Sequence, residues 1–298
     1  MKDVLFVVNP RAGSGRAVKL WDAVVAKHPE LRQASLVREE EPAAARARLV
    51  SALAERPRVV VALGGDGTAH LVANALLGAG AGEMVPLALV PGGTGSDLAK
   101  SLGLSADPWE ALQRALHGTA RPLDALEVRR GEAPLRYVVN TASAGVSGDV
   151  VEAVNGLEHR GAATYLWTTV KALFGYRPLR ARITVDGEPF HEGEIFLLAV
   201  ANGPTFGKGM RVAPLARVDD GLADVVVVGN VRRWQLPMRL PQLLFGKHLG
   251  TAQVKFRQAR EVVCEPLEAF PPYELDGDAA PAAPLRVKVL PAALRVIG

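Results

Sequence analysis

A chain of 298 residues is longer than one hydrophobic core usually serves and suits two domains. Its 49% hydrophobic and 22% charged residues are a globular composition, and aromatics at only 5% leave the cores to Val, Leu and Ala. Thirty-five Lys and Arg against 31 Asp and Glu give a mild basic excess, which suits an anionic nucleotide or membrane surface and excludes the dense basic patterning of a nucleic-acid binder.

The chain opens with a buried strand at 4–8, closed by the turn Asn9-Pro10-Arg11-Ala12-Gly13-Ser14-Gly15. That apolar run is too short and too soon broken by glycine to be a signal peptide. Helical spacing follows at 16–27, a short strand at 35–37, and an Ala/Arg/Leu helix at 43–55. Residues 58–63 form a continuous β-branched run, the pattern of a strand buried on both faces. It ends at Gly64-Gly65-Asp66-Gly67-Thr68, and 69–77 is helical. A strand at 86–90 ends at Pro91-Gly92-Gly93-Thr94-Gly95-Ser96, before a helix at 97–102 that stops at Gly103. Strand–helix alternation with short links predicts a parallel α/β sheet, and such sheets bind ligands beyond the carboxyl ends of their strands. All three glycine-rich turns fall there.

The pattern changes near Leu123. Short strands are expected at 126–129, 137–141, 181–185, 194–201, 223–228, 253–257, 262–265 and 285–290, which reads as an antiparallel β domain. The expected domains are 1–123 and 124–298, with the last residues packing back on the first. Helical patterns interrupt the strands at 148–174 and 232–244. They carry Trp167, Phe174, Trp234 and Met238, and read equally as core helices or as contacts for a lipid or membrane. The strongest apolar stretch, 195–201, is too short to span a bilayer. The lone Cys264 excludes an internal disulfide and fits a reducing cytoplasm.

The Gly64–Thr68 turn carries the sharpest chemistry. Glycines between a buried strand and a helix let backbone amides approach phosphate oxygens, and the helix N-terminus adds partial positive charge. Asp66 there would repel phosphate unless Mg²⁺ or a hydroxyl proton lies between, which suits phosphoryl transfer. The first turn is not a Walker A loop, since no Gly-Lys-Ser/Thr closes it, but Arg11 and Arg16 can pair with phosphate. The third offers the Thr94 and Ser96 hydroxyls and the Asp97 carboxylate.

Asn-Pro-x-x-Gly at 9–13, Gly-Gly-Asp-Gly-Thr at 64–68 and Pro-Gly-Gly-Thr-Gly-Ser-Asp-Leu-Ala at 91–99 together resemble the catalytic domain of the diacylglycerol and sphingosine lipid kinases, above all the soluble bacterial diacylglycerol kinases. The resemblance continues through Leu123-Asp124, Asn202-Gly203-Pro204, Val212-Ala213-Pro214-Leu215-Ala216, Asp220-Gly221-Leu222 and Leu275-Asp276-Gly277-Asp278, so it covers nearly the whole chain. It implies an α/β nucleotide domain with a parallel sheet, a C-terminal antiparallel β-sandwich, and a cleft between them.

By motif, ATP would contact Asn9, Pro10, Arg11, Ala12, Gly13 and Arg16, then Gly64, Gly65, Asp66, Gly67, Thr68, Ala69, His70 and Leu71, and finally Gly92, Thr94 and Asp97. A metal-associated network would involve Asp66, Asp97, Asp124 and Asp220, with Mg²⁺ held by the Asp220 carboxylate and the carbonyls of Arg217 and Leu222. The implied activity is ATP-dependent phosphorylation of a lipid alcohol presented at a membrane surface, by a cytoplasmic protein peripheral to the membrane. A homodimer stays open.

The chain departs from the family in places. Where relatives carry Asp-Gly-Glu with the Glu as proton acceptor, it has Asp278, one methylene shorter, so Asp278, Asp276 and Asp66 are the candidate bases. Arg38-Glu39-Glu40 replaces a nucleotide-contacting Thr, and His70 reads as a polar surface residue. Diacylglycerol is the leading acceptor, with sphingoid bases and other lipid alcohols as alternatives. An NAD kinase shares Gly-Gly-Asp-Gly-Thr but not the Asn-Pro-x-x-Gly opening or the Ala-Pro-x-Ala block. A catalytically inactive lipid- or nucleotide-binding regulator is the third reading, motivated by Asp278.

Overall fold

Short β-branched runs with no polar alternation suit strands covered on both faces, and the first half of the chain is built on them. A computed structural model describes residues 3–92, 96–131, 133–155, 162–207, 209–268, 272–280 and 284–297. The chain forms two compact units, residues 1–125 with 290–298, and residues 126–289.

In the first unit β1 (Val4–Val8), β2 (Ser35–Val37), β3 (Val59–Gly64) and β4 (Leu87–Pro91) pair in parallel in the order β2-β1-β3-β4. Val296 and Ile297 add a further parallel partner to β4. Every residue of β1 and β3 is buried, as their unbroken apolar runs demand. The helices are α1 (Arg16–Lys27), α2 (Pro42–Leu53), α3 (Asp66–Gly78), α4 (Asp97–Ser101) and α5 (Pro108–His117). Phe6, Trp21, Val61, Leu112 and Ile297 share one core. Asp107 caps α5, its Oδ1 accepting from Trp109 N at 2.7 Å. β5 (Ala120–Arg130) then leads into the second unit.

The second unit holds β6 (Ala133–Val138), β7 (Thr141–Gly145), α6 (Val146–Asn155), α7 (Ala162–Gly175), β8 (Leu179–Val185), β9 (Glu188–Ile195), β10 (Leu197–Ala201), β11 (Ala223–Val228), α8 (Leu236–Leu244), β12 (Val254–Ala259), β13 (Glu261–Pro266), β14 (Tyr273–Leu275), β15 (Asp278–Ala280) and the start of β16 (Leu285–Ile297). One antiparallel sheet runs β12-β11-β10-β7-β14-β15, and β8, β9, β13 and the start of β16 pair antiparallel in a second group. Leu126, Ile183, Val200, Val225, Tyr273 and Val287 meet in the core between them. A separate core on the other face of the first sheet joins Val146, Phe196, Val226 and Leu236. There the rings of Tyr176 and Phe196 meet edge to face at 5.5 Å. This is the expected α/β unit followed by an antiparallel β-sandwich.

Three expected elements differ. The run 194–201 serves two sheets: β9 pairs with β8, β10 pairs with β7 and β11, and Phe196 is the junction, its amide bonded to Val228 O and its carbonyl to Val146 N. The expected strand 137–141 breaks at Val139 and Asn140, whose amides donate to the Asp276 carboxylate. The helical pattern from 148 resolves into α6 and α7, with 156–161 outside the described residues. Among the described residues no helix is long and apolar enough to cross a membrane.

Candidate active site

The three glycine-rich turns meet. Gly92 N donates to Gly64 O at 2.8 Å, joining the ends of β3 and β4. A Cβ on Gly92 would lie 3.3 Å from Ala17 Cα in the first turn of α1. A Cβ on Gly64 would lie 2.2 Å from Thr68 Oγ1, so the β3–α3 turn closes only around glycine. Asp66, the first residue of α3, reaches to α4: its Oδ2 accepts from Asp97 N at 3.1 Å and its Oδ1 from Leu98 N at 3.2 Å. The N-termini of α1, α3 and α4 therefore assemble at the carboxyl edge of the sheet. Helix starts leave backbone amides without intrahelical carbonyls and carry partial positive charge, an arrangement suited to phosphate.

Side chains at this edge divide by burial. Asn9 Oδ1 accepts from Arg11 N at 2.9 Å, and Ala12 N donates to Asn9 O, which folds the first turn from Asn9 through Pro10 to Gly13. Arg11 leans toward acid: its Nη2 lies 3.4 Å from Glu41 Oε1 and 3.8 Å from Glu40 Oε2. The acidic stretch after β2 thus engages the arginine expected to meet phosphate. Arg16 is exposed and, among the described residues, has no carboxylate partner. Thr68 Oγ1 is buried without a hydrogen-bond partner, a hydroxyl left over beside the turn. Ala69 is buried and Leu71 half-buried. Thr94 lies outside the described residues.

His70 is not a surface residue. It is 6% exposed, with Asn74 Nδ2 3.2 Å from its Nε2, because α3 is buried on most sides and position 70 faces inward. Asp97 is buried with Lys100 Nζ 3.3 Å from its Oδ1. Asp124 is buried too, and its Oδ1 accepts from Ala292 N at 2.7 Å.

The second unit gathers acids on the hairpin of β14 and β15. Leu275 pairs with Asp278, so Asp276 and Gly277 are the two turn residues, at φ +49° and +90°. Two positive φ angles define the type I′ turn that Asp-Gly favours. Asp276 is spent on structure: its Oδ2 accepts from Val139 N at 2.8 Å, and its Oδ1 from Asn140 N at 3.1 Å and Thr141 N at 2.9 Å. These three bonds satisfy the backbone where β6 gives way to β7, which is why no strand spans 137–141. Asp278 is exposed on the same hairpin, its Oδ2 2.8 Å from Arg136 Nη1.

Glu274, unmarked in the sequence, sits beneath that turn. Its Oε1 accepts from Gly277 N and its Oε2 from Ser143 Oγ, which lies 2.9 Å from Ser147 Oγ. Burial pushes its carboxyl up to about 7; the bonds from Ser143 and Gly277 oppose the shift, and the charges of Asp276 and Asp278 add to it. Arg136 was also missed. The Asp-Gly hairpin signal could have placed Glu274 on a strand, but neither Ser143 nor Arg136 lies within 130 residues of its acid.

Asp220 is exposed, and its Oδ1 accepts from Leu222 N at 3.1 Å in a turn begun at Arg217. Nearby Asp224 is buried with Oδ2 unpartnered. Burial raises its carboxyl to about 6, against the bond from Gln258, and the Asp220 charge raises it further. The Asp220 carboxylate and the peptide carbonyls of its turn are hard oxygen donors, the chemistry that Mg²⁺ takes. Among the described residues, no three His, Cys, Asp or Glu side chains cluster as a metal site.

Comparison with known proteins follows the same division. Residues 3–128 match the diacylglycerol kinase catalytic domain, and residues 140–298 match the YegS C-terminal NAD kinase beta sandwich-like domain. A Xanthomonas euvesicatoria protein named "Probable lipid kinase YegS-like" is 34% identical over 251 residues, 82% of this chain and 80% of that one. The Mycobacterium tuberculosis protein named "Diacylglycerol kinase" is 28% identical over 300 residues, 99% of this chain and 94% of that one. A crystal structure of a diacylglycerol kinase from Bacillus anthracis superposes with a TM-score of 0.72 at 20% identity, covering 99% of this chain and 96% of that one.

Proposed function

The chain belongs to the diacylglycerol kinase and YegS-like family of lipid kinases, and from that premise we propose that it transfers the γ-phosphoryl group of ATP to the hydroxyl of a lipid alcohol, diacylglycerol first among them. The observation that carries the reading is the union of the three glycine turns through Gly92, Gly64 and Ala17, which brings three helix N-termini to one edge. Backbone amides of the first two glycine turns, at the starts of α1 and α3, would hold the triphosphate, with Arg16 pairing a phosphate oxygen, while the first amides of α4 are taken by Asp66.

In the reaction the lipid oxygen forms a bond to the γ-phosphorus as the bond to the β–γ bridging oxygen breaks, ADP leaves, and a carboxylate takes the hydroxyl proton. Among the three candidate bases, Asp66 is bound to the start of α4 and Asp276 to three amides, while Asp278 stands exposed. Asp278 is therefore assigned as the proton acceptor. Arg136 holds it in place and must share it with the substrate. Asp220, with the carbonyls of Arg217 and Leu222, would hold Mg²⁺ within the second unit and so fix that loop.

The test is transfer from ATP labelled at the γ-phosphate, offered diacylglycerol, a sphingoid base and NAD in parallel. Label in either lipid supports the reading and ranks the acceptors. Label in NAD alone, or ATP binding with no labelled product, overturns it.

A further inference from the structure

Helix α8 carries two apolar stripes, and the fold uses only one. Leu236, Leu240 and Leu243 recur at helical spacing; Leu236 is buried, and Leu243 packs on the core around Val226. Trp234, in the 3₁₀ turn Arg233–Gln235 that leads into α8, begins the second stripe, which continues through Met238 and Pro241 to Phe245. It has the same spacing and faces outward, with Trp234 65%, Met238 64% and Phe245 69% exposed. Scattered exposed apolar residues are ordinary, but a stripe of large ones at helical period is a surface awaiting a partner. Helix α7, packed on the same core through Leu173, likewise exposes Trp167 and Phe174, seven residues apart.

The charge around this stripe is one-sided. The 36 residues between Asp224 and Glu261 contain seven Lys and Arg and no acid. Taking those seven from 35 leaves 28 basic residues against 31 acidic ones elsewhere, so the basic excess of the whole chain lies in this one segment. Arg232 and Lys247 flank the stripe, both exposed and, among the described residues, without a carboxylate partner. A second copy docking here about a twofold axis would set like charge against like. An anionic bilayer complements both features, because Trp and Phe settle at the headgroup–acyl boundary while Lys and Arg meet the phosphates.

We propose that the outward stripe of α8 docks the chain on a lipid bilayer bearing anionic headgroups, an inference that rests on the lipid-kinase reading for its purpose but not for its test. The full chain is sedimented without ATP with vesicles of phosphatidylcholine, and with vesicles containing one-third phosphatidylglycerol. At least tenfold tighter binding to the anionic vesicles is expected, weakening with salt. The double variant Trp234→Ser/Phe245→Ser should lose at least tenfold of that binding, with its thermal melt and its turnover of a water-soluble short-chain acceptor retained. Equal vesicle binding by the two proteins would overturn the proposal, as would a variant that only turns a dimer into a monomer. Vesicle binding by a chain that phosphorylates no lipid would leave the docking surface standing and remove the kinase reading.

Discussion

The edge where the glycine turns meet and the hairpin of β14 and β15 both carry clustered acids, yet they are held in opposite ways. At the glycine edge the geometry is local. Gly64 closes around Thr68, four residues on, and Asp66 binds amides 31 and 32 residues on, within the same unit. At the hairpin, Asp276 binds amides 135 to 137 residues away, and Glu274 and Asp278 hold Ser143 and Arg136 at 131 and 142. Local constraint shows in a sequence as a motif. Long-range constraint shows only as isolated acids, and the three acids of one hairpin turn out to do three different things.

Substitutions on the hairpin should separate those roles. Asp278→Asn is expected to have the largest effect, lowering turnover about 10²–10⁴-fold. Stability should barely change, because an exposed ion pair such as Arg136–Asp278 contributes only about 0–1 kcal/mol. Lipid phosphate formed at saturating ATP, read beside a urea melt, checks both halves. Asp276→Ala should do the reverse and cost on the order of 3 kcal/mol of stability, since it strips three backbone amides of a charged acceptor. An unchanged urea midpoint with turnover lost would return Asp276 to the role of base.

At the glycine edge, Gly64→Ala forces a methyl group onto Thr68 and should destabilise by about 1–3 kcal/mol while weakening ATP binding. Calorimetry of ATP binding to the folded fraction would show whether the turn matters beyond stability.

The smallest effect belongs to Glu274. Its carboxyl titrates near 7 in the fold against 4.5 when free, so between those values the folded state binds more protons than the unfolded one. Its contribution is therefore full below 4.5 and lost as pH rises through 7. Glu274→Gln should flatten that part of the decline, seen as the difference between wild-type and variant melts across the range. Parallel curves would mean that the buried carboxyl is not titrating there.

The same contrast sets what could be read in advance. The three turns, the buried strands and the change to antiparallel pairing near Leu123 were legible, because glycine punctuation and β-branched runs act over a few residues. His70 was misread because a polar residue in the first turn of a helix looks solvent-facing until the helix proves buried on most sides. The break at Val139 and Asn140 was invisible without Asp276, and Phe196 looked like the middle of one strand because both sheets it joins favour the same apolar run.

Mass spectrometry of a total lipid extract, incubated with the protein and ATP carrying heavy oxygen in its γ-phosphate, tests the central claim most directly. The account predicts labelled phosphate esters of a lipid alcohol, abolished or nearly so in Asp278→Asn. Heavy oxygen found only in free phosphate or in a phosphorylated dinucleotide, with every lipid unlabelled, would contradict it.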